Sequence, residues 1–465
     1  MYDVTSAESI ISFAKKLKDR TLRDCCDSMI EEHGIGGKGN LGQIIEKYYF
    51  GYEPNSVSEP DFKIAGLELK TSPLKRLKRG GLAAKERLVL NIINYLEVYK
   101  EEFETSALWK KNARLLLIFY LHEPDTDLLD YKLKLIEEWN YPEIDLEIIR
   151  HDWKTINDKI KSGKAHEISE GDTFYLGACT KGSTALKSFR EQPFSNKKAK
   201  QRAYSLKQGY VNHIIANISR EEDEIYGRII ARPEILEVSA SIEETIRSMF
   251  EPFYGKSARE IELQLGLEIK RRSKSYFALL TKGMLGIGLD KEIEEFEKAE
   301  IEIKTVRVET NNRIRESVSF PAFSFEEIYN ESWTDSKLKD KIEQKFLFLF
   351  FKSHEGEYRF NKVKFWNMSY TDRNEMRTIW LRTKKVVQDG EIIKGFRKYK
   401  NGKIIRLNNF PKKTESPVGH VRPHGSDSMD TNPLPVKDKR TGETSFTKQC
   451  FWMNWDYVRD NIFLE

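Results

Sequence analysis

Cysteine is scarce, with four in 465 residues. Cys25 and Cys26 are adjacent, Cys179 and Cys450 stand alone, and none has the spacing of a zinc site or a disulfide framework. A reducing, cytoplasmic setting is therefore expected. Long apolar runs are missing too: the longest, around Phe346–Phe351, falls far short of the ~18 residues a membrane helix needs. The opening Met-Tyr-Asp-Val-Thr has neither the basic nor the apolar region of a secretory signal. No Gly-x-x-x-x-Gly-Lys-Ser/Thr loop is present, and the glycines of Gly34–Gly39 follow no strand, so a nucleotide-binding reading is set aside for a plain loop. Net charge is small, +5 from 78 basic and 73 acidic residues, and by itself identifies no partner. What remains is a soluble globular profile, 39 % hydrophobic and 12 % aromatic. At ~100–200 residues per domain, the length allows two to four domains.

The distribution of charge says more than its sum. Between Lys70 and Arg87 lie Lys70, Lys75, Arg76, Lys78, Arg79, Lys85 and Arg87, opposed only by Glu86. Further basic runs are Lys197–Lys207, interleaved with Tyr204, then Lys270–Lys274, and Lys394–Arg406 around Tyr399. Any one run can be a solvated helix face. The run Lys75–Gly81 ends in a glycine pair, which suits a basic loop presented to a phosphate backbone rather than a continuing helix.

The chain also resembles itself. Asp61-Phe-Lys-Ile-Ala-Gly-Leu-Glu68-Leu-Lys70-Thr71 aligns without gaps to Glu295-Phe-Glu-Lys-Ala-Glu-Ile-Glu302-Ile-Lys304-Thr305, an offset of half the chain. Shorter matches follow in the same order, so two modules are expected, 1–230 and 231–465. Within the first, Thr5-x-x-Glu8 reads as a capping box, Leu41–Phe50 as a helix, and Ile64–Thr71, Arg87–Tyr95 and Leu115–Leu121 as strands. Helices flanking a central mixed sheet make the expected class α/β.

On a strand, side chains alternate faces, so Glu68 and Lys70 share one and Leu67 and Leu69 the other. Pro60 favours a turn before the strand, which can bring Asp61 beside Glu68. Paired carboxylates invite a divalent cation, and all-oxygen ligands suit Mg²⁺. A neighbouring lysine can orient water or stabilise charge at phosphorus. Surface Glu and Lys forming a simple cross-strand pair would give the same short pattern. The adjoining basic loop and the echo in the other half favour the chemical reading.

Pro60-Asp61…Glu68-Leu69-Lys70 resembles the PD-(D/E)xK nuclease signature. The longer Glu59-Pro-Asp-Phe…Gly66-Leu-Glu-Leu-Lys-Thr71, with Gly42-x-x-x-Glu46 and Lys85-Glu-Arg-Leu-Val-Leu-Asn-Ile-Ile-Asn, is similar to the MutH family of GATC-cleaving endonucleases. It is most similar to that family's longer, two-module restriction endonucleases, which also carry motifs like Gly163–Gly171 and Cys179–Gly182. The resemblance implies two tandem endonuclease-like modules, with Asp61 and Glu68 as metal ligands, Lys70 as catalytic lysine, Glu46 as a helix-borne acid and Lys85 as a second lysine near the scissile phosphate. It also implies a Mg²⁺-dependent type II restriction endonuclease acting on double-stranded DNA at GATC. Expected DNA contacts are Lys75, Arg76, Lys78, Arg79, Lys181, Tyr204, Lys207 and Arg422. The mismatch-repair enzyme has Phe-Tyr before Leu-Lys where this chain has Tyr204-Ser205, so discrimination by adenine methylation does not carry over.

In the second module Thr281 stands for Glu46, Glu295 for Asp61 and Arg315 for Lys85, and Asp290–Glu302 holds seven acids against two lysines. This half is read as a degenerate copy, an effector or second DNA-binding module. Phe451, Trp452, Trp455 and Tyr457 are either its core or part of its DNA surface. His166 beside Glu167 is read as structural. With one competent site, a monomer that dimerises on DNA or loops two sites is expected. Two other readings are a mismatch-repair nicking enzyme and a DNA-binding protein without catalysis.

Overall fold

A computed structural model describes residues 2–30, 41–54, 57–78, 80–181, 188–220, 225–230, 241–270, 275–400, 402 and 404–465. The glycine-rich loop of Gly34–Gly39, Arg79 and most of the Lys270–Lys274 run lie outside them. Packing divides the chain into two units, residues 1–245 with 286–300, and residues 246–285 with 301–465. The expected boundary at 230–231 adjoins residues 231–240, which are also outside the described set.

In the first unit the opening helix, Ala7–Lys15, is capped by Ser6, whose hydroxyl accepts from the Ser9 N–H, one residue beyond the box expected at Thr5. Ile10 and Ala14 on its buried face are fully enclosed. The expected helix at Leu41–Phe50 is one α-turn, Leu41–Ile44, running into a π-turn, Ile45–Phe50, that stops at Gly51 with φ +79°. The strands are β1 (Glu68–Arg76), β2 (Leu82–Ala84), β3 (Leu88–Ile92), β4 (Arg114–Leu121), β5 (Leu133–Asn140), β6 (Leu176–Thr180), β7 (Phe189–Gln192), β8 (Ser195–Lys200) and β9 (Arg202–Leu206). β1 begins later than expected because Lys63–Gly66 form a tight turn.

One sheet runs β2-β1-β4-β5, with β1 parallel to β4 and antiparallel to β2. Leu115–Phe119 of β4 is buried throughout, as a strand covered on both faces must be. Leu67, Leu69, Leu116 and Ile118 pack with Ile10, Ala14, Leu41 and Ile44. That packing leaves Glu68 and Lys70 to the opposite face. A second sheet runs β3-β9-β6. Its β6 is entered through the buried Asp152 of the helix Glu143–Lys161, whose carboxylate accepts from the N–H groups of Phe174, Tyr175 and Leu176 at 2.6–2.9 Å.

The first unit is completed by residues 286–300. β10 (Tyr226–Gly227) pairs in parallel with β11 (Glu292–Ile293), and a short helix, Glu294–Ala299, packs on the helix Gln208–Ser219. The Lys298 ammonium sits between Asp145 (2.9 Å) and Glu294 (2.6 Å), all three buried. Gly209 lies so close to this segment that a Cβ there would fall 1.9 Å from the Glu297 carbonyl oxygen.

The second unit contains β12 (Glu302–Val308), β13 (Val318–Phe323), β14 (Phe346–His354), β15 (Glu357–Trp366), β16 (Ile393–Lys398), β17 (Ile404–Asn408), β18 (Gly419–Pro423), β19 (Thr431–Pro433), β20 (Ser445–Thr447) and β21 (Gln449–Met453). β12 runs parallel to β14, which pairs antiparallel with β15. A second sheet runs β13-β21-β18. These directions match those of β1-β4-β5 and β3-β9-β6. The core is aromatic, built around Phe346, Phe348, Phe350, Trp380 and Phe451. Among the described residues no helix is long and apolar enough to cross a membrane.

Candidate active site

The turn at Lys63–Gly66 is closed by paired backbone hydrogen bonds between Phe62 and Leu67 (3.0 and 3.2 Å), with Gly66 at φ +63°. Only glycine adopts that φ at little cost. The turn folds Asp61 back onto the start of β1. There the Asp61 N–H donates to Glu68 Oε2 (3.0 Å), and Asp61 Oδ2 accepts from the Leu69 N–H (3.0 Å). Strand alternation then places Lys70 next to Glu68, with Nζ 2.6 Å from Oε1.

Glu68 is 2 % exposed. Burial, opposed by Lys70 and reinforced by Asp61, pushes its carboxyl up to about 7. Glu46, on the π-turn, is also raised, by burial first and then by the charge of Asp61. Lys70 offsets only part of the burial cost of Glu68, with Asp61 and Glu46 adding further negative charge nearby, and a cation would offset the rest. The donors are all oxygens and fit a hard divalent ion, with Asp61 and Glu68 as its holders and Glu46 beside them. Among the described residues no cluster of three metal-ligating side chains is already assembled.

A lysine that sequence reading missed completes the cluster. Lys111 ends the helix Ala107–Asn112, and its Nζ is 3.5 Å from Glu68 Oε1. Lys70 and Lys111 both line a cleft of about 770 Å³, with Asn91, Asn94 and Glu101 further along it. Lys85 is not in this cluster. Its N–H bonds the Pro73 carbonyl, five residues along β1 from Glu68, or about 16 Å at ~3.3 Å per residue.

The expected DNA contacts divide by exposure. Lys75, Arg76 and Lys78 are exposed at the β1–β2 hairpin, and Lys181 is half-buried at the end of β6. Arg79 lies outside the described residues. Lys207 is 1 % exposed, its ammonium donating to the carbonyls of Thr173 (2.7 Å) and Ala299 (3.1 Å), so it is an interior tie rather than a DNA contact. Tyr204 is 2 % exposed and its hydroxyl is buried, so it forms cleft floor and does not project. Arg422, in the second unit, is exposed, its guanidinium carbon 3.6 Å from the Trp452 ring centre. Phe451 and Tyr457 beside it are core, whereas Trp452 and Trp455 are half-buried. His166 bonds Gln192 (3.1 Å).

The second unit repeats part of the cluster. Lys304 Nζ is 2.6 Å from Glu302 Oε1, and Lys341 Nζ is 3.7 Å from Oε2. The acid aligned to Asp61 lies elsewhere. Glu295, aligned to Asp61 by sequence, lies in a helix where Asp61 has a turn. Its carboxylate accepts from the N–H groups of Ile229 and Ile230 in the first unit (2.8–3.0 Å). Beside Lys341 lies a smaller cavity of about 240 Å³, lined by Phe320, Phe323, Phe451 and Trp380.

Two carboxylates and two lysines at one end of a mixed sheet, with an exposed basic hairpin at the far end of β1, are the groups that metal-dependent phosphodiester hydrolysis calls for. The family described as DNA mismatch repair enzyme MutH matches residues 50–152 and 289–379. The type II restriction enzyme Sau3AI of Staphylococcus aureus is 37 % identical over 457 residues, 91 % of this chain and 92 % of that one. The mismatch repair protein MutH of Shewanella amazonensis is 28 % identical over 132 residues, 28 % of this chain and 57 % of that one. MutH of Vibrio parahaemolyticus is 25 % identical over 167 residues, 36 % of this chain and 72 % of that one. The chain belongs to the MutH-related family of type II restriction enzymes. It is a site-specific deoxyribonuclease.

Proposed function

We propose that this enzyme is a Mg²⁺-dependent cytoplasmic restriction endonuclease that cuts double-stranded DNA at GATC. The observation that carries the reading is the set Asp61, Glu68, Lys70 and Lys111, in which Glu68 is buried and the two lysines line a cleft. The target sequence follows from the family resemblance. Asp61 and Glu68 hold the cation, which when bound polarises the scissile phosphate and acidifies water. Lys70, fixed by Glu68, orients the attacking water, and Lys111 stabilises charge developing on the phosphate oxygens. The exposed cations Lys75, Arg76 and Lys78 grip the backbone, while Asn91 and Asn94 offer amides to what enters the cleft.

In the same reading the two units are copies of one endonuclease-like module, as their matching strand order supports. The second copy is chemically silent: Glu302 and Lys304 are present, but Glu295, the acid aligned to Asp61, is engaged elsewhere. It serves instead as an effector or second DNA-binding unit, with Arg422 on its surface. One working site per chain then requires two chains, or two successive nicks, to sever a duplex. A monomer in solution that pairs on DNA is expected. Sedimentation showing one unchanged monomer with cognate DNA would count against pairing.

The deciding experiment is plasmid digestion with Mg²⁺ by wild type and Asp61→Ala. Wild type is expected to linearise the plasmid at GATC, with the variant slower by ~10²-fold or more. Cleavage by the variant at the wild-type rate would remove Asp61 from the site. A product that stays nicked would favour the mismatch-repair type of activity instead.

A further inference from the structure

Tyr52 stands beside this site without a role assigned by the reading above. Its N–H bonds the Glu46 carbonyl (3.1 Å) just past Gly51, which ties its backbone to the turn carrying Glu46. Its ring meets the Phe62 ring edge-on at 5.4 Å, which ties its side chain to the turn carrying Asp61. The hydroxyl is buried and has no hydrogen-bond partner among the described residues. Burial first, and then the acidic groups of Asp61, Glu46 and Glu68, hold the phenol firmly protonated.

Buried hydroxyls are ordinarily hydrogen-bonded, because losing water without gaining a partner is costly. Here a buried O–H donor without a partner among the described residues sits between the turn carrying Glu46 and the turn carrying Asp61. A phenol cannot serve as a base in that field. It can donate, either to a ligand carboxylate or to water in a cation's hydration shell. Groups of this kind fix the orientation of metal ligands.

We propose that Tyr52 is a positioning residue of the metal site, its hydroxyl donating to the cation's hydration shell or to the Asp61 carboxylate once the site is loaded. The inference rests on the nuclease reading, and it assigns Tyr52 no contact with DNA. Because the hydroxyl bonds none of the described residues, its removal is expected to leave the fold intact.

The test is Tyr52→Phe in the full chain, with three readouts: thermal melting without metal, Mn²⁺ binding by calorimetry without DNA, and single-turnover cleavage with Mg²⁺. The expected result is a melting temperature equal to wild type or higher, Mn²⁺ affinity lower by ~10-fold, and cleavage slowed to a similar degree. Wild-type Mn²⁺ affinity and cleavage within twofold would overturn the proposal. So would a marked fall in metal-free melting temperature, which would make the hydroxyl a structural bond. Asp61→Ala serves as the control for the underlying reading. If that variant binds Mn²⁺ like wild type, the site itself is misassigned, whatever Tyr52→Phe does.

Discussion

Glu68 holds its proton in the metal-free enzyme to near neutrality, because burial outweighs the attraction of Lys70. An ordinary glutamate releases it near pH 4.5. The sign follows from linkage. The folded state binds the proton more tightly than the unfolded chain, so stability from this group falls as pH rises from about 4.5 through 7. A cation bound by Glu68 must displace that proton. Below pH 7 the Mg²⁺ concentration needed for half-maximal cleavage should therefore rise, by ~10-fold per pH unit at the limit. Titrations of Mg²⁺ at pH 6 and pH 8 that superimpose would show that Glu68 is not a ligand. Part of this residue-scale picture is legible in sequence. Pro60, Gly66 and the alternation of β1 are local signals, and they put Asp61, Glu68 and Lys70 together. Lys111 is not legible that way. It reaches Glu68 only because β1 and β4 pair in parallel and the helix Ala107–Asn112 delivers its last turn to that end of the sheet.

At the scale of elements, the β1–β2 hairpin separates from the rest of the basic chain. Lys75, Arg76 and Lys78 are exposed on it, with Arg76 lightly held by Glu123 at 3.5 Å. Changing all three to alanine should weaken binding to any duplex and reduce the slope of log affinity against log salt by ~1 per lost phosphate contact. Specificity for the recognition sequence should be untouched. Binding measured at several salt concentrations on cognate and random duplexes checks both, and an unchanged slope would remove the hairpin from the interface. Sequence reading placed this loop correctly because a glycine pair closes a charged run. It misplaced Lys207 for an instructive reason. A lysine in a basic, tyrosine-rich stretch looks exposed, yet Arg202–Leu206 is a central strand, and Lys207 follows it into the interior. The match of Glu295 to Asp61 failed similarly. Identical spacing in sequence takes the form of a turn in one half and a helix in the other.

At the scale of the molecule, the first unit borrows residues 286–300 from the far side of the chain's midpoint. Gly209 makes the borrowing measurable. On an unobstructed helix surface, Gly→Ala stabilises by roughly 0.5–1 kcal/mol. Here the methyl would meet the Glu297 carbonyl, so Gly209→Ala should destabilise by roughly 1–3 kcal/mol. Urea unfolding of the full chain decides the sign, and a stabilised variant would mean that the segment does not rest there. The sequence hides this arrangement because the segment's six acids and two lysines suggest a repelling surface, whereas Lys298 and two of those acids are interior.

The same segment sets a timetable. A ribosome working at ~5–20 residues per second finishes the codons for Asp61 and Glu68 well before those for Lys298. In that interval Asp145 has no ammonium beside it, and the carbonyl of Ala299 that receives Lys207 does not yet exist. A nascent chain that already carries Asp61, Glu68, Lys70 and Lys111 thus still has an unfinished first unit. Activity is therefore expected to appear only after residues 286–300 have been made, although that segment supplies none of the groups at the cleft.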